Sequence, residues 1–196
     1  MMMKSIILKL AALAAGVLVA AVGPAAADVT TPAPYAVIMD FDSGAVLFEK
    51  DADTPVGPSS MSKLMTVAIV FEKLKNGELK PTDEFSVSEK AWREKEGSSM
   101  WVRVDTKIPL IDLLRGIIVQ SGNDACIVVA ENIAGTEEAF AELMTKKARE
   151  WGLKNSKFAN ATGLPDENQK MSTRDLAILA RKIISDYPEY YKLFAE

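Results

Sequence analysis

Ser60-Met61-Ser62-Lys63 places a hydroxyl and an amine three residues apart, close enough to meet on one face of a helix. The pairing matters because the chain has no histidine and a single cysteine, Cys126. A Ser-His-Asp triad, a Cys-His dyad and any histidine-ligated metal site are therefore excluded. So are an intrachain disulfide, a Cys-x-x-Cys redox pair and a zinc cluster. Acyl-transfer chemistry here must find its base among Lys, Asp, Glu and Tyr. Lysine serves as that base only when neutral. Its reference pKa of about 10.4 must fall by roughly 3 to give a useful neutral fraction near pH 7, at about 4 kcal/mol. Burial in an apolar pocket can do this, and Met61, Leu64 and Met65 flank Lys63. A serine in the first turn also sits near the positive end of the helix dipole, which favours an alkoxide.

The bare spacing is weak. With 13 Ser and 17 Lys in 196 residues, Ser-x-x-Lys arises about once by chance. Lys63 could be a solvated helix lysine and Ser59 or Ser60 an ordinary N-cap. Ser59 is four residues before Lys63, so helical geometry leaves Ser59 and Ser60 tied as nucleophile. A second candidate is Ser121-Gly122-Asn123, a polar break in the apolar stretch Ile117–Val129. It reads equally well as a corner between helices, with Gly122 at φ > 0 and Asn123 as the next N-cap. As a site, its side-chain oxygens are the acceptors that a lysine amine needs. Cys126 and the Trp92, Trp101 and Trp151 rings read as packing, and Lys146-Lys147-Arg149 as a solvated helix face.

The elements that must position these groups follow from the apolar pattern. Lys4 and Lys9, the apolar run Leu10–Val22, the break Gly23-Pro24 and the small residues Ala25-Ala26-Ala27 predict a signal peptide over residues 1–27, cleaved before Asp28. A run of that length is too short for a spanning helix, which needs about 20 apolar residues. Export to a bacterial periplasm or cell envelope is therefore expected, consistent with the lack of disulfide capacity. The formal net charge of −4 argues against a nucleic-acid partner. Asn160-Ala161-Thr162 matches a glycosylation sequon, by chance in that setting.

Residues 35–40 and 45–50 read as the strands of a hairpin about Asp42-Ser43-Gly44. A helix is predicted from Ser60 to Lys75, with Asn76-Gly77 as its stop. Residues 81–104 are mixed, with strand-like pieces around Phe85 and Trp101. Pro109–Gln120 is nearly all apolar and predicts a buried helix. Helix resumes from Asp124 to Ala134. Thr136 caps another helix with Glu137 and Glu138 in its first turn, and Ser172-Thr173 opens a last one through Arg181 to about Asp186. The fold class is α/β (α+β): a hairpin followed by a helical block.

Four strings, read together, resemble the serine D-alanyl-D-alanine carboxypeptidases among the low-molecular-mass penicillin-binding proteins. They are PSSMSKLMT (58–66), GSSMWV (97–102), RGIIVQSGNDAC (115–126) and LKNSKFANATGLPDENQKMSTRDLAILAR (153–181). Their order and spacing span roughly residues 35–195. The resemblance implies a β-lactamase/transpeptidase-like fold and breaks the tie, with Ser60 as acyl-ester nucleophile and Lys63 as general base. It implies that Ser121 relays a proton and that Asn123 holds Lys63 and a substrate amide. The implied partners are peptidoglycan stem peptides ending in D-Ala-D-Ala, with β-lactams as covalent inhibitors. No metal or organic cofactor is implied. The third motif of the superfamily, Lys-Thr-Gly, occurs nowhere in the 196 residues, nor does Lys-Ser-Gly. The expectation is therefore that residues 28–196 are the N-terminal portion of a catalytic domain whose C-terminal strands are missing, weakly active or inactive alone. The alternatives are a class A-like β-lactamase and a truncated, non-catalytic remnant that binds peptidoglycan.

Overall fold

The computed structural model describes residues 29–94 and 96–196, so the leader read over residues 1–27 lies outside the described residues. In chain order the elements are β1 (Ala36–Met39), β2 (Val46–Lys50), a 3-10 turn (Ser59–Ser62), α1 (Lys63–Lys75), β3 (Glu84–Ser86), α2 (Glu89–Arg93) and β4 (Lys107–Pro109). There follow α3 (Leu110–Ile118), α4 (Asn123–Ala134), α5 (Glu137–Glu150), α6 (Thr173–Asp186), α7 (Pro188–Tyr191) and a second 3-10 turn (Lys192–Ala195).

The centre of the fold is α1. Met65, Val67, Ala68, Ile69, Val70 and Phe71 are each at most 1% exposed. A helix apolar on every side belongs in the middle of a domain. Here α3, α4, α5 and α6 all pack against it. Asn76 and Gly77 end it as expected, Gly77 at φ +73. The run before residue 120 is the buried helix α3, with Leu110, Leu113, Leu114 and Ile117 at most 2% exposed. Thr136 and Ser172 cap α5 and α6 by accepting the N–H groups of Ala139 and Asp175.

β1 and β2 form the expected antiparallel hairpin, with Ile38 opposite Phe48 and an irregularity between Ile38 and Met39. A two-stranded hairpin is marginal alone. This one leans on α6, whose Arg181 donates to the carbonyls of Phe41 (2.6 Å) and Asp42 (2.9 Å) at its turn. An isolated bridge between Val56 and Met171 ties the chain entering α1 to the start of α6.

The stretch 81–104 departs from expectation. β3 forms around Phe85, but its partner is β4, and no strand forms at Trp101. Asp124 takes up the N–H groups of Met100 and Val102, which a strand ladder would need. Trp101 instead sits at φ +63 and is 71% exposed, and Trp92 is 39% exposed, so these two rings are not core packing. Lys147, read as solvated, is paired with Glu72 at 2.7 Å.

Truncating Phe71 tests the central role of α1. Its ring is fully buried and stacks on Tyr190 at 5.4 Å, with Tyr187 edge-on at 6.0 Å. Phe71→Ala is expected to cost about 3–5 kcal/mol. In urea unfolding this reads as a lower midpoint at unchanged slope.

Candidate active site

Ser60 does not lie on α1 itself but on the 3-10 turn that leads into it, with Pro58 at the N-cap and Ser59 at φ +50. That difference decides between the two serines. In a 3-10 turn, residues three apart eclipse one another. Ser60 thus faces Lys63, with Oγ 3.1 Å from Nζ, while the carbonyl of Ser59 accepts the Ser62 hydroxyl at 3.1 Å. Neither serine is a side-chain cap. The Ser60 residue remains exposed, and Lys63 is 5% exposed.

Burial holds the Lys63 amine below lysine's ordinary value of 10.5. The same apolar surroundings push the Cys126 thiol, the other titratable group beside it, up to about 12. Cys126 is therefore neutral near pH 7 and lends the lysine no counter-charge. Lys63 is a buried amine that holds its proton less tightly than an exposed lysine, a shift in the direction that a general base needs.

Ser121 lies on the wall of a pocket of about 300 Å³ shared with Ser60 and Lys63, lined otherwise by Met61, Leu64, Val67, Ile117, Ile118 and Phe194. The left-handed residue of this corner is Ser121, at φ +56, and not Gly122, at φ −62. A non-glycine residue in that region carries local strain. Gly122 has another reason to lack a side chain: an added Cβ would come within 3.0 Å of Asp124 Oδ1 and 3.2 Å of the Gly116 carbonyl. Gly122, not Asn123, takes the N-cap of α4.

Asn123 corrects a further expectation. Its amide nitrogen donates to the Glu96 carbonyl at 2.7 Å, and its backbone N–H to the Ser98 carbonyl at 2.8 Å. It binds the 96–98 loop, and the second partner of Lys63 is instead the Thr162 carbonyl, which accepts from Nζ at 2.7 Å. Among the described residues, Lys63 makes no hydrogen bond to Ser121 or Asn123.

Two groups escaped the sequence reading. Asp124, fully buried, accepts from Ser99 Oγ (2.5 Å), Met100 N (3.0 Å), Val102 N (3.0 Å) and Ala125 N (2.8 Å). It locks the GSSMWV loop against the Ser121–Asn123 corner. An acid embedded in an apolar helix was its only signal. The other is the 159–164 loop, which brings Thr162 to Lys63 and puts Gly163, at φ +87, where a Cβ would lie 2.0 Å from the Ser59 carbonyl oxygen. No spacing rule links it to Lys63, 99 residues away.

Known proteins place the chain in a family. Residues 21–196 match the family described as D-alanyl-D-alanine carboxypeptidase. The D-alanyl-D-alanine carboxypeptidase DacA of Haemophilus influenzae is 41% identical over 162 residues, covering 82% of this chain and 41% of the relative. The crystal structure of the carboxypeptidase DacD from Francisella tularensis superposes with a TM-score of 0.84 at 39% identity, over 87% of this chain and 41% of that one. Penicillin binding protein 5 from Haemophilus influenzae gives 0.82 at 41% identity, over 86% and 50%. The chain belongs to the D-alanyl-D-alanine carboxypeptidase family and has its transpeptidase-like, α+β fold. It spans about two fifths of the length of the DacA relative.

Removing the Asp124 carboxylate leaves three backbone N–H groups and a hydroxyl without their acceptor, each costing about 1–3 kcal/mol if it stays buried. Asp124→Ala is expected to speed amide hydrogen exchange at Met100 and Val102. Protection of the α1 amides over residues 67–71 should persist.

Proposed function

We propose that this protein is a serine-type D-alanyl-D-alanine carboxypeptidase that removes the terminal D-alanine of peptidoglycan stem peptides through an acyl-enzyme on Ser60. The observation that carries the reading is the buried Lys63 amine, 3.1 Å from an exposed serine hydroxyl at the mouth of a pocket. Neutral Lys63 accepts the Ser60 proton as Oγ attacks the carbonyl of the penultimate D-Ala. The tetrahedral intermediate collapses with cleavage of the C–N bond. The departing amine takes up a proton, relayed through Ser121, and D-Ala leaves. Water then hydrolyses the ester and restores Ser60. Asn123 contributes the positioning of a substrate amide. A β-lactam enters the same path as a substrate mimic, its ring amide opened by Ser60.

Export and a place in the cell envelope, in cell-wall synthesis and remodelling, follow from the N-terminal pattern and the substrate. Among the described residues no helix is long and apolar enough to cross a membrane. A second reading is the binding of peptidoglycan without turnover.

Intact mass after incubation with excess penicillin separates the two. A covalent adduct that is absent in Ser60→Ala supports the carboxypeptidase reading. No adduct on a folded chain supports the second. Slow release of the adduct, in place of rapid turnover, sets the protein apart from a β-lactamase. Lys63→Ala is expected to lower the acylation rate by about 10²–10⁴, the usual worth of a general base. The rate should rise with pH as Lys63 loses its proton, along a limb centred below 10.5 because burial depresses that group.

A further inference from the structure

We infer that Asn160 is a positioning residue for the proposed base: it fixes the peptide unit whose carbonyl orients the Lys63 amine toward Ser60. The inference rests on the reading of Lys63 as base. Asn160 Oδ1 accepts from Gly163 N (2.7 Å), Thr162 Oγ1 (3.1 Å) and Thr162 N (3.2 Å). Gly163 N–H and Thr162 C=O belong to one planar trans peptide, so they point in opposite directions. Holding the N–H end at Asn160 aims the C=O end at Lys63, 2.7 Å away. A neutral amine has two N–H bonds and one lone pair. With one N–H committed to Thr162, rotation about the last side-chain bond is fixed, and the lone pair can be directed at Ser60, 3.1 Å away.

The loop is built to keep that aim. Asn160 Nδ2 donates to the Leu164 carbonyl at 3.0 Å, and Gln169 Oε1 accepts from Ala159 N (2.6 Å) and Asn160 N (3.2 Å). The peptide groups of Ala161 are gripped from both sides, its carbonyl by Thr66 of α1 (2.8 Å) and its N–H by Glu137 of α5 (3.2 Å). The titratable groups nearest Lys63 and the loop are Cys126 on α4, which is neutral, and Glu137, which is also paired with Lys90 at 3.0 Å. The sequon over residues 160–162 is thus an internal turn whose Asn side chain is engaged.

The test is the protonation of Lys63 in the 28–196 chain, followed through its ¹³Cε resonance in Asn160→Ala and Asn160→Asp, beside the rate of penicillin acylation. A carbonyl acceptor favours the ammonium form. Releasing it in Asn160→Ala should lower the Lys63 pKa and, by misplacing the amine, slow acylation by about 10–10². Asn160→Asp keeps the Oδ1 acceptor and adds a negative charge one peptide away. It should raise the Lys63 pKa and retain acylation within about tenfold of the parent. Shifts of opposite sign in two folded variants support the inference. An unmoved Lys63 in both, with acylation lowered only in step with thermal stability, overturns it. If the resonance shifts as expected but the parent chain is not acylated by penicillin, it is the proposed activity that fails.

Discussion

The arrangement turns on one constraint: an amine must be kept in the interior without a carboxylate beside it. Lys63 begins a helix whose first turns are buried and is itself only 5% exposed. Leaving such a group unpaired would be costly, and ion pairing would hold the proton on it. Two neutral oxygens, one a hydroxyl and one a backbone carbonyl, satisfy it without either outcome. Much of the surrounding chain exists to bring those oxygens into place. The 3-10 turn supplies the hydroxyl by eclipsing Ser60 over Lys63. The 159–164 loop supplies the carbonyl, approaching the turn so closely at Gly163 that no side chain fits there.

Buried polar groups recur wherever a loop meets this region, and each has a matching set of donors or acceptors. Asp124 anchors the 99–102 segment, Asn123 the 96–98 segment, and Asn160 with Gln169 the 159–164 segment. Met100 reinforces the first by packing on Gly116, where a Cβ would lie 2.3 Å from its sulfur. These loops have little regular structure, so side-chain acceptors take the place of a ladder in satisfying their N–H groups. Two strained residues also lie here: Ser59, at φ +50, precedes Ser60, and Ser121, at φ +56, lines the pocket. Strained non-glycine backbone persists only where its surroundings over-determine it, and here packing and the loop anchors do so.

Much of the scaffold was legible in the sequence. The α1 run from Leu64 to Leu74 is too apolar for a surface helix, and Asn76-Gly77 marks its end. Thr136 and Ser172 announce α5 and α6 through cap chemistry that operates within four residues. The hairpin followed from two β-rich runs about a Gly turn. Trp101 shows where local reading fails. Its neighbours look strand-like, yet their N–H groups are claimed by a carboxylate more than twenty residues later. The Ser121 corner fails in a related way. A glycine is the residue expected at positive φ, but the tight approach of Gly116 and Asp124 uses Gly122 for space and leaves the strained angle to the serine.

The sequence by itself determined the hairpin and the long helices, the absence of histidine and disulfide chemistry, and the pairing of a serine with a lysine one turn apart. These depend on residue type, apolar period and contacts within a few positions, all of which are local. Only the tertiary structure decided that Asn123 holds a loop and not Lys63, and that a backbone carbonyl 99 residues away completes the lysine's partners. A carbonyl is present in every residue and so leaves no mark in the sequence. Which one reaches a buried amine is fixed by how the loops pack around α1.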